Sequence, residues 1–150
     1  MEEIIAGVTR TYSHDTRIVI YSVSSLGVTT LKSWSDDILA NLEHWPQEYD
    51  SYLVVYDLSD HGVSLPFLVL TGYNIYNPGI TSAGQKRLDA LLQARPGLML
   101  KLALVLSPSL SGDMALNRGR QPATAQSQVE CQVYFDQAAA VTWLEQFIPT

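Results

Sequence analysis

Val129, Cys131, Val133 and Phe135 occupy alternate positions, the period of a strand that buries one face. Asp136 follows where a helix N-cap belongs, its carboxylate matched to the free N–H groups of a first turn. Ala140, Trp143, Leu144 and Phe147 then recur at three- and four-residue spacing, so the pattern switches to an amphipathic helix. The same grammar runs through the rest of the chain. Ile4 to Val8 reads as an edge strand and Arg17 to Val23, with Ile18-Val19-Ile20-Tyr21, as a second. Turn chemistry at Tyr12-Ser13-His14-Asp15 predicts that these two pair as an antiparallel hairpin. Leu31, Trp34, Ile38, Leu42 and Trp45 mark the buried stripe of a helix capped by Thr29 or Thr30 and ended by Pro46.

Tyr52 to Leu58 and Leu100 to Leu106 are nearly continuous apolar runs, as expected of parallel strands covered on both faces. Between them, Thr81 or Ser82 caps a helix that runs to Arg95, with Leu88, Leu91 and Leu92 inward and Pro96-Gly97 as its stop. Leu65 to Leu70 fits either a strand or a turn of helix, since a short apolar run has no decisive period. Leu110 to Asn117 is expected to be a short helix and residues 119–128 a flexible polar loop. Strands alternating with helices predict one α/β domain over residues 1–150. Its central mixed sheet is mostly parallel, with an N-terminal antiparallel hairpin and helices packed on it.

Composition narrows the function classes. The chain has 150 residues, enough for one domain with a real core, and its hydrophobic fraction of 47% is that of a folded protein. A formal charge of −6 with nine scattered basic residues argues against a nucleic-acid partner, which requires clustered Lys and Arg. One cysteine, Cys131, allows no intramolecular disulfide and sits on the buried face of its strand. The acidic Met1-Glu2-Glu3 start lacks the basic opening of a signal peptide, and the uncharged stretch Gly62 to Gln85 is too broken by Pro66, Asn74, Asn77 and Pro78 to span a bilayer. The expectation is a cytoplasmic protein with no membrane partner.

The residues with most chemical potential follow the Tyr52–Leu58 run. Asp57, Ser59, Asp60, His61 and Ser64 fall at the carboxyl end of a central strand, where α/β sheets hold ligands. Asp57, Asp60 and His61 would suit a small hydrolase or transferase, or a loop of solvated turn residues. The paired His or Cys spacing of a metal centre is absent, as are a glycine-rich phosphate loop and a nucleophile elbow, so no catalytic residue, metal or cofactor is assigned. No acidic pair follows the Arg17–Val23 run, which argues against a phosphoryl-accepting receiver domain. Phe67, Tyr73 and Tyr76 lie in the uncharged stretch. If exposed, they would give the apolar, tyrosine-bearing surface typical of interfaces, with a protein partner or a second copy of the chain. A small ligand in the crevice between Asp57–Leu65 and Tyr73–Tyr76 is the alternative.

Val54-Val55-Tyr56-Asp57-Leu58-Ser59, Ala103-Leu104-Val105 and Val133-Tyr134-Phe135-Asp136 with Ala140 and Trp143-Leu144 resemble the STAS or SpoIIAA-like domain superfamily. The resemblance implies a non-enzymatic signalling module in bacteria that works through protein contacts. Its phosphorylatable motif, Asp-Ser-Ser/Thr-Gly, is not matched. The corresponding stretch here reads Asp57-Leu58-Ser59-Asp60-His61-Gly62-Val63-Ser64, with Ser64 nearest in position and Ser59 second.

Overall fold

The computed structural model describes residues 2–72, 74, 77–110 and 128–149, and for His61 the backbone alone. Among these the chain builds a mixed six-stranded sheet with four α-helices packed on it, so the protein is α/β. Strands β1 (Glu2–Ile5), β2 (Val8–Ser13) and β3 (Ile18–Val23) form an antiparallel meander. Helix α1 (Val28–Glu43) leads to β4 (Ser51–Leu58), which lies parallel to β3. Helices α2 (His61–Leu70) and α3 (Ser82–Ala94) then lead to β5 (Met99–Leu106), parallel to β4. A 3-10 turn at Pro108–Leu110 follows, and β6 (Val129–Tyr134) pairs parallel to β5 before α4 (Gln137–Glu145). The spatial order is β1-β2-β3-β4-β5-β6, the order of the chain itself.

Two of the expectations change at the N-terminus. Ile4 to Val8 is not one strand: the chain turns at Ala6-Gly7, so the hairpin becomes a three-stranded meander. Gly7 makes that turn with φ of 96°, and a Cβ there would stand 2.7 Å from the Ser25 carbonyl oxygen, which leaves room for glycine alone. Thr29 and Thr30 lie inside α1. Its N-cap is Gly27, whose extended backbone starts the helix without a side-chain bond. Thr81 and Asp136 cap as the spacing predicts: Thr81 accepts from the Gly84 N–H and Asp136 from the Ala138 N–H. Leu65 to Leu70 belongs to helix α2, with Pro66 in its second turn.

Stepping one strand over in the same direction, successive parallel crossovers of one hand put their helices on one face. The core shows this division. Val19, Tyr21, Tyr52, Val54, Tyr56, Leu100, Leu102, Leu104, Cys131 and Val133 share a cluster with Leu31, Trp34, Ile38, Leu42, Val63, Phe67, Leu88 and Leu92 of the first three helices. On the opposite face, among the described residues, α4 sets Ala140 and Leu144 over Ile18, Leu53, Val55, Ala103 and Val105. The large aromatic residues therefore face three helices, and the smaller ones face one. Trp34 packs edge-on against Tyr56 at 5.1 Å between ring centroids and at a tilt of 50° against Phe67 at 6.0 Å. Burial pushes the Cys131 thiol up to about 12, so it is an inert core group.

The expected helix over Leu110–Asn117 lies outside the described residues beyond Leu110, which ends the 3-10 turn. The expected loop over 119–128 lies outside them except for Gln128. The Gln128 amide donates to the carbonyls of Leu92, Arg95 and Leu98 at 3.3, 3.1 and 3.0 Å.

Candidate functional site

The carboxyl end of β4 assembles the residues that the sequence singles out, and most of them serve the fold. Asp57 lies beside Ser22 of β3 in the parallel register. One of its oxygens accepts the Ser59 N–H at 3.0 Å, closing a tight turn, and the other accepts the Gln137 side-chain amide at 2.6 Å. That second bond ties the start of α4 to the end of β4, 80 positions away in the chain. Asp60 is the N-cap of α2 and accepts the Gly62 N–H at 2.9 Å. Ser59 is exposed, and His61 opens α2.

Ser64 is only 1% exposed. Its hydroxyl donates to the Leu58 carbonyl and accepts the Ser107 N–H at 2.8 Å, so it joins the ends of β4 and β5. Both functions of the hydroxyl are spent on buried backbone groups that would otherwise be unpaired. Phe67 is also buried, 2% exposed, against Trp34. Tyr73 and Tyr76 lie outside the described residues. Among the described residues no group of three or more His, Cys, Asp or Glu is placed to hold a metal ion.

What the sequence did not reveal is the outer face of α2. Leu65 is 52% and Val69 59% exposed, one helical turn apart on the same side. The helix is apolar all round, His61-Gly62-Val63-Ser64-Leu65-Pro66-Phe67-Leu68-Val69-Leu70. Val63, Phe67 and Leu68 fill the core while Leu65 and Val69 face outward. Helices without a polar face are normally covered on both sides. The signal in the sequence was present, since the charge-free stretch contains the helix. The period of so short a run did not say which of its apolar residues point inward.

A polar chain also runs beneath α1. Arg10 of β2 bonds both carboxylate oxygens of Asp37 at 2.8 and 2.7 Å, and the Tyr21 hydroxyl donates to the same carboxylate at 2.8 Å. Glu2 pairs with the other guanidinium nitrogen of Arg10 at 2.5 Å. Farther along, the Tyr52 hydroxyl donates to Asn41 at 3.2 Å and the Asn41 amide donates to Tyr12 at 2.6 Å. Burial, first of all, pushes the phenols of Tyr21, Tyr52 and Tyr56 well above their ordinary range, so they stay neutral donors. The Tyr56 hydroxyl donates to the Pro78 carbonyl at 2.7 Å.

Two grooves open at the opposite end of the parallel strands from Asp57. One, of ≈ 180 Å3, lies between the carboxyl ends of α1 and α3, over Leu42, Leu91, Leu92 and Leu98 and rimmed by Glu43, Gln47 and Arg95. The other, of ≈ 250 Å3, is lined by Tyr12, Thr16, Asn41, His44, Trp45 and Pro46. Between them, the Arg95 guanidinium bonds the carbonyls of Trp45, Pro46 and Tyr49 at 2.8, 2.6 and 2.9 Å.

The fold and these sites define a single-sheet α/β protein with a charge-free, outward-facing apolar helix at the carboxyl end of its central strand. Comparison with family models, curated proteins and solved structures finds no match. Among the described residues no helix is long and apolar enough to cross a membrane.

Proposed function

We propose that the protein is a non-enzymatic interaction module of STAS-like type, which docks a protein partner on the outer face of α2. The observation that carries this reading is the exposure of Leu65 and Val69, 52% and 59%, on a helix with no charged residue. Full burial of such a side chain is worth about 1.5–3 kcal/mol, and with roughly half of each surface still exposed, covering the pair supplies about 0.8–1.6 kcal/mol each, enough to contribute to a transient interface. The absence of Asp, Glu, Lys and Arg from Gly62 to Gln85 fits a partner surface that is itself apolar and uncharged, because no fixed charge would be desolvated. Asp57, Asp60 and Ser64 each have a structural bond to make, which supports contact rather than catalysis as the work of this end of the sheet.

The test is site-specific photo-crosslinking in the native cell, with the crosslinker placed at Leu65, at Val69 and at exposed Ala94 as control. A discrete protein adduct from positions 65 and 69, absent from 94, and lost in Leu65→Glu/Val69→Glu, is the expected result. An adduct with the size of two copies of this chain would make the partner a second copy. Adducts equal at all three positions, or none at 65 and 69, would overturn the docking role of α2.

A further inference from the structure

The groove lined by Tyr12, Thr16, Asn41, His44, Trp45 and Pro46 is organised in a way that the reading of α2 does not use. Its floor is rigid. The Trp45 indole N–H donates to the Ser51 carbonyl at 2.9 Å, and the ring stands edge-on to Tyr52 at 4.7 Å. Thr16 on its rim ends the turn His14-Asp15-Thr16, whose φ values are 54°, 54° and 66°. Three consecutive non-glycine residues in the left-handed region make a rare conformation, costly at each step.

The polar groups are oriented as well. Tyr52 donates to the Asn41 side-chain oxygen, which turns the Asn41 NH2 toward Tyr12, and that NH2 donates to the Tyr12 hydroxyl oxygen. The Tyr12 proton must then point away from Asn41, and it has no acceptor among the described residues. Tyr12 is 39% exposed, so this donor is accessible. His44 supplies the complement. Its Nδ1 lies 2.8 Å from the Ala40 carbonyl, which can only accept, so Nδ1 carries the hydrogen and the neutral ring offers Nε2 as an acceptor. Among the described residues no Asp, Glu, Lys or Arg lines the groove, and ≈ 250 Å3 is the space of one ring rather than a larger ligand.

We propose that this groove is a binding site for a small, planar, uncharged amide about the size of one aromatic ring. Its carbonyl accepts a hydrogen bond from the Tyr12 hydroxyl, its N–H donates to His44 Nε2, and its ring lies against Pro46 and the exposed edge of Trp45. The site is separate from α2 and stands whether or not α2 docks a partner.

Benzamide is the probe, titrated into 15N-labelled full-length protein and followed by the amide signals of Tyr12, Asn41, His44 and Trp45. Saturable shifts confined to that group are expected, with a dissociation constant of about 1–10 mM, the range open to a fragment of this size. Tyr12→Phe keeps the ring and removes the donor; Asn41 retains Tyr52, so the fold is kept, and far-UV circular dichroism checks this. That variant should bind benzamide about 3–10-fold more weakly. Toluene, benzylamine and benzoate report whether ring alone, cation or anion suffices. Equal binding of any of these three, unchanged affinity in Tyr12→Phe, or no saturable shift by about 100 mM benzamide, roughly tenfold above the weakest affinity expected, overturns the proposal.

Discussion

Removing the Arg95 guanidinium should destabilise the protein more than a half-buried surface side chain ordinarily does. Arg95 follows α3 and holds three backbone carbonyls of the Trp45–Tyr49 loop at 2.6 to 2.9 Å, with no carboxylate partner among the described residues. A hydrogen bond from a charged donor is worth about 1.5–3 kcal/mol, so three would total roughly 4.5 kcal/mol at the lower figure if they were independent. They are not independent, and the three carbonyls can be partly rehydrated once the side chain is gone. Halving the sum gives about 2–3 kcal/mol for Arg95→Met, which keeps the aliphatic stem. At roughly 2–4 °C per kcal/mol for a domain of this size, Tm should fall by about 5–10 °C. Urea unfolding followed by tryptophan fluorescence measures the free energy, and hydrogen exchange should show faster opening of the amides of Trp45, Gln47, Glu48 and Tyr49. Arg95→Lys, a point charge without the planar fork, should fall between the two proteins. A loss below about 0.5 kcal/mol for Arg95→Met, the level of an ordinary surface change, would refute the clamp.

Ser64→Ala should cost roughly 2–3 kcal/mol in the same assay, because the Leu58 carbonyl and the Ser107 N–H both lose their buried partner; a neutral result would show that water replaces the hydroxyl. Thr16→Gly should raise stability by about 0.5–1 kcal/mol, since a β-branched residue at φ of 66° gives way to one with no penalty there, offset in part by a freer unfolded chain; a loss of stability would mean that the turn is relaxed as it stands. Lys101 bonds Glu130 at 2.8 Å and holds its carboxyl below the usual range, so the pair adds stability above the unfolded carboxyl value and loses it as acid protonates Glu130 in the folded state. Glu130→Gln should therefore cost under about 1 kcal/mol at pH 7, as expected of a pair with one exposed partner, and the deficit should shrink as acid protonates Glu130 in the folded state; a deficit that grows in acid would have the wrong sign.

The elements legible in the sequence were those whose period or punctuation was strong. β4 and β5 announce themselves as unbroken apolar runs, α3 and α4 by Thr81 and Asp136 at their starts, and β6 by alternation. The meander was blurred because Ile4 to Val8 is apolar on both sides of a tight turn, and only Gly7 interrupts it. Within α2, composition identified the charge-free stretch but could not sort Phe67, which is buried, from Leu65 and Val69, which are not. Asp57, Asp60 and Ser64 were correctly placed at the end of the central strand, yet residue type alone does not disclose their partners. Gln137, which holds Asp57, is 80 positions distant. Arg95, Gln128 and the Tyr52–Asn41–Tyr12 series act by the same long-range route, through backbone carbonyls and amides that local pattern does not encode.

A sheet whose spatial order repeats the order of the chain can be assembled as the chain is synthesised. β1, β2 and β3 can pair before β4 exists, and each later strand finds its neighbour already waiting at the growing edge. Among the described residues the last segment breaks this progression: α4 must leave β6 and return across β4 and β5. Until residue 144 has emerged, the face carrying Ile18, Leu53, Val55, Ala103 and Val105 has no cover from its own helix. A nascent chain stalled or truncated just before α4 would thus hold a nearly complete sheet without the Ala140 and Leu144 cover on that face, a form in need of a chaperone.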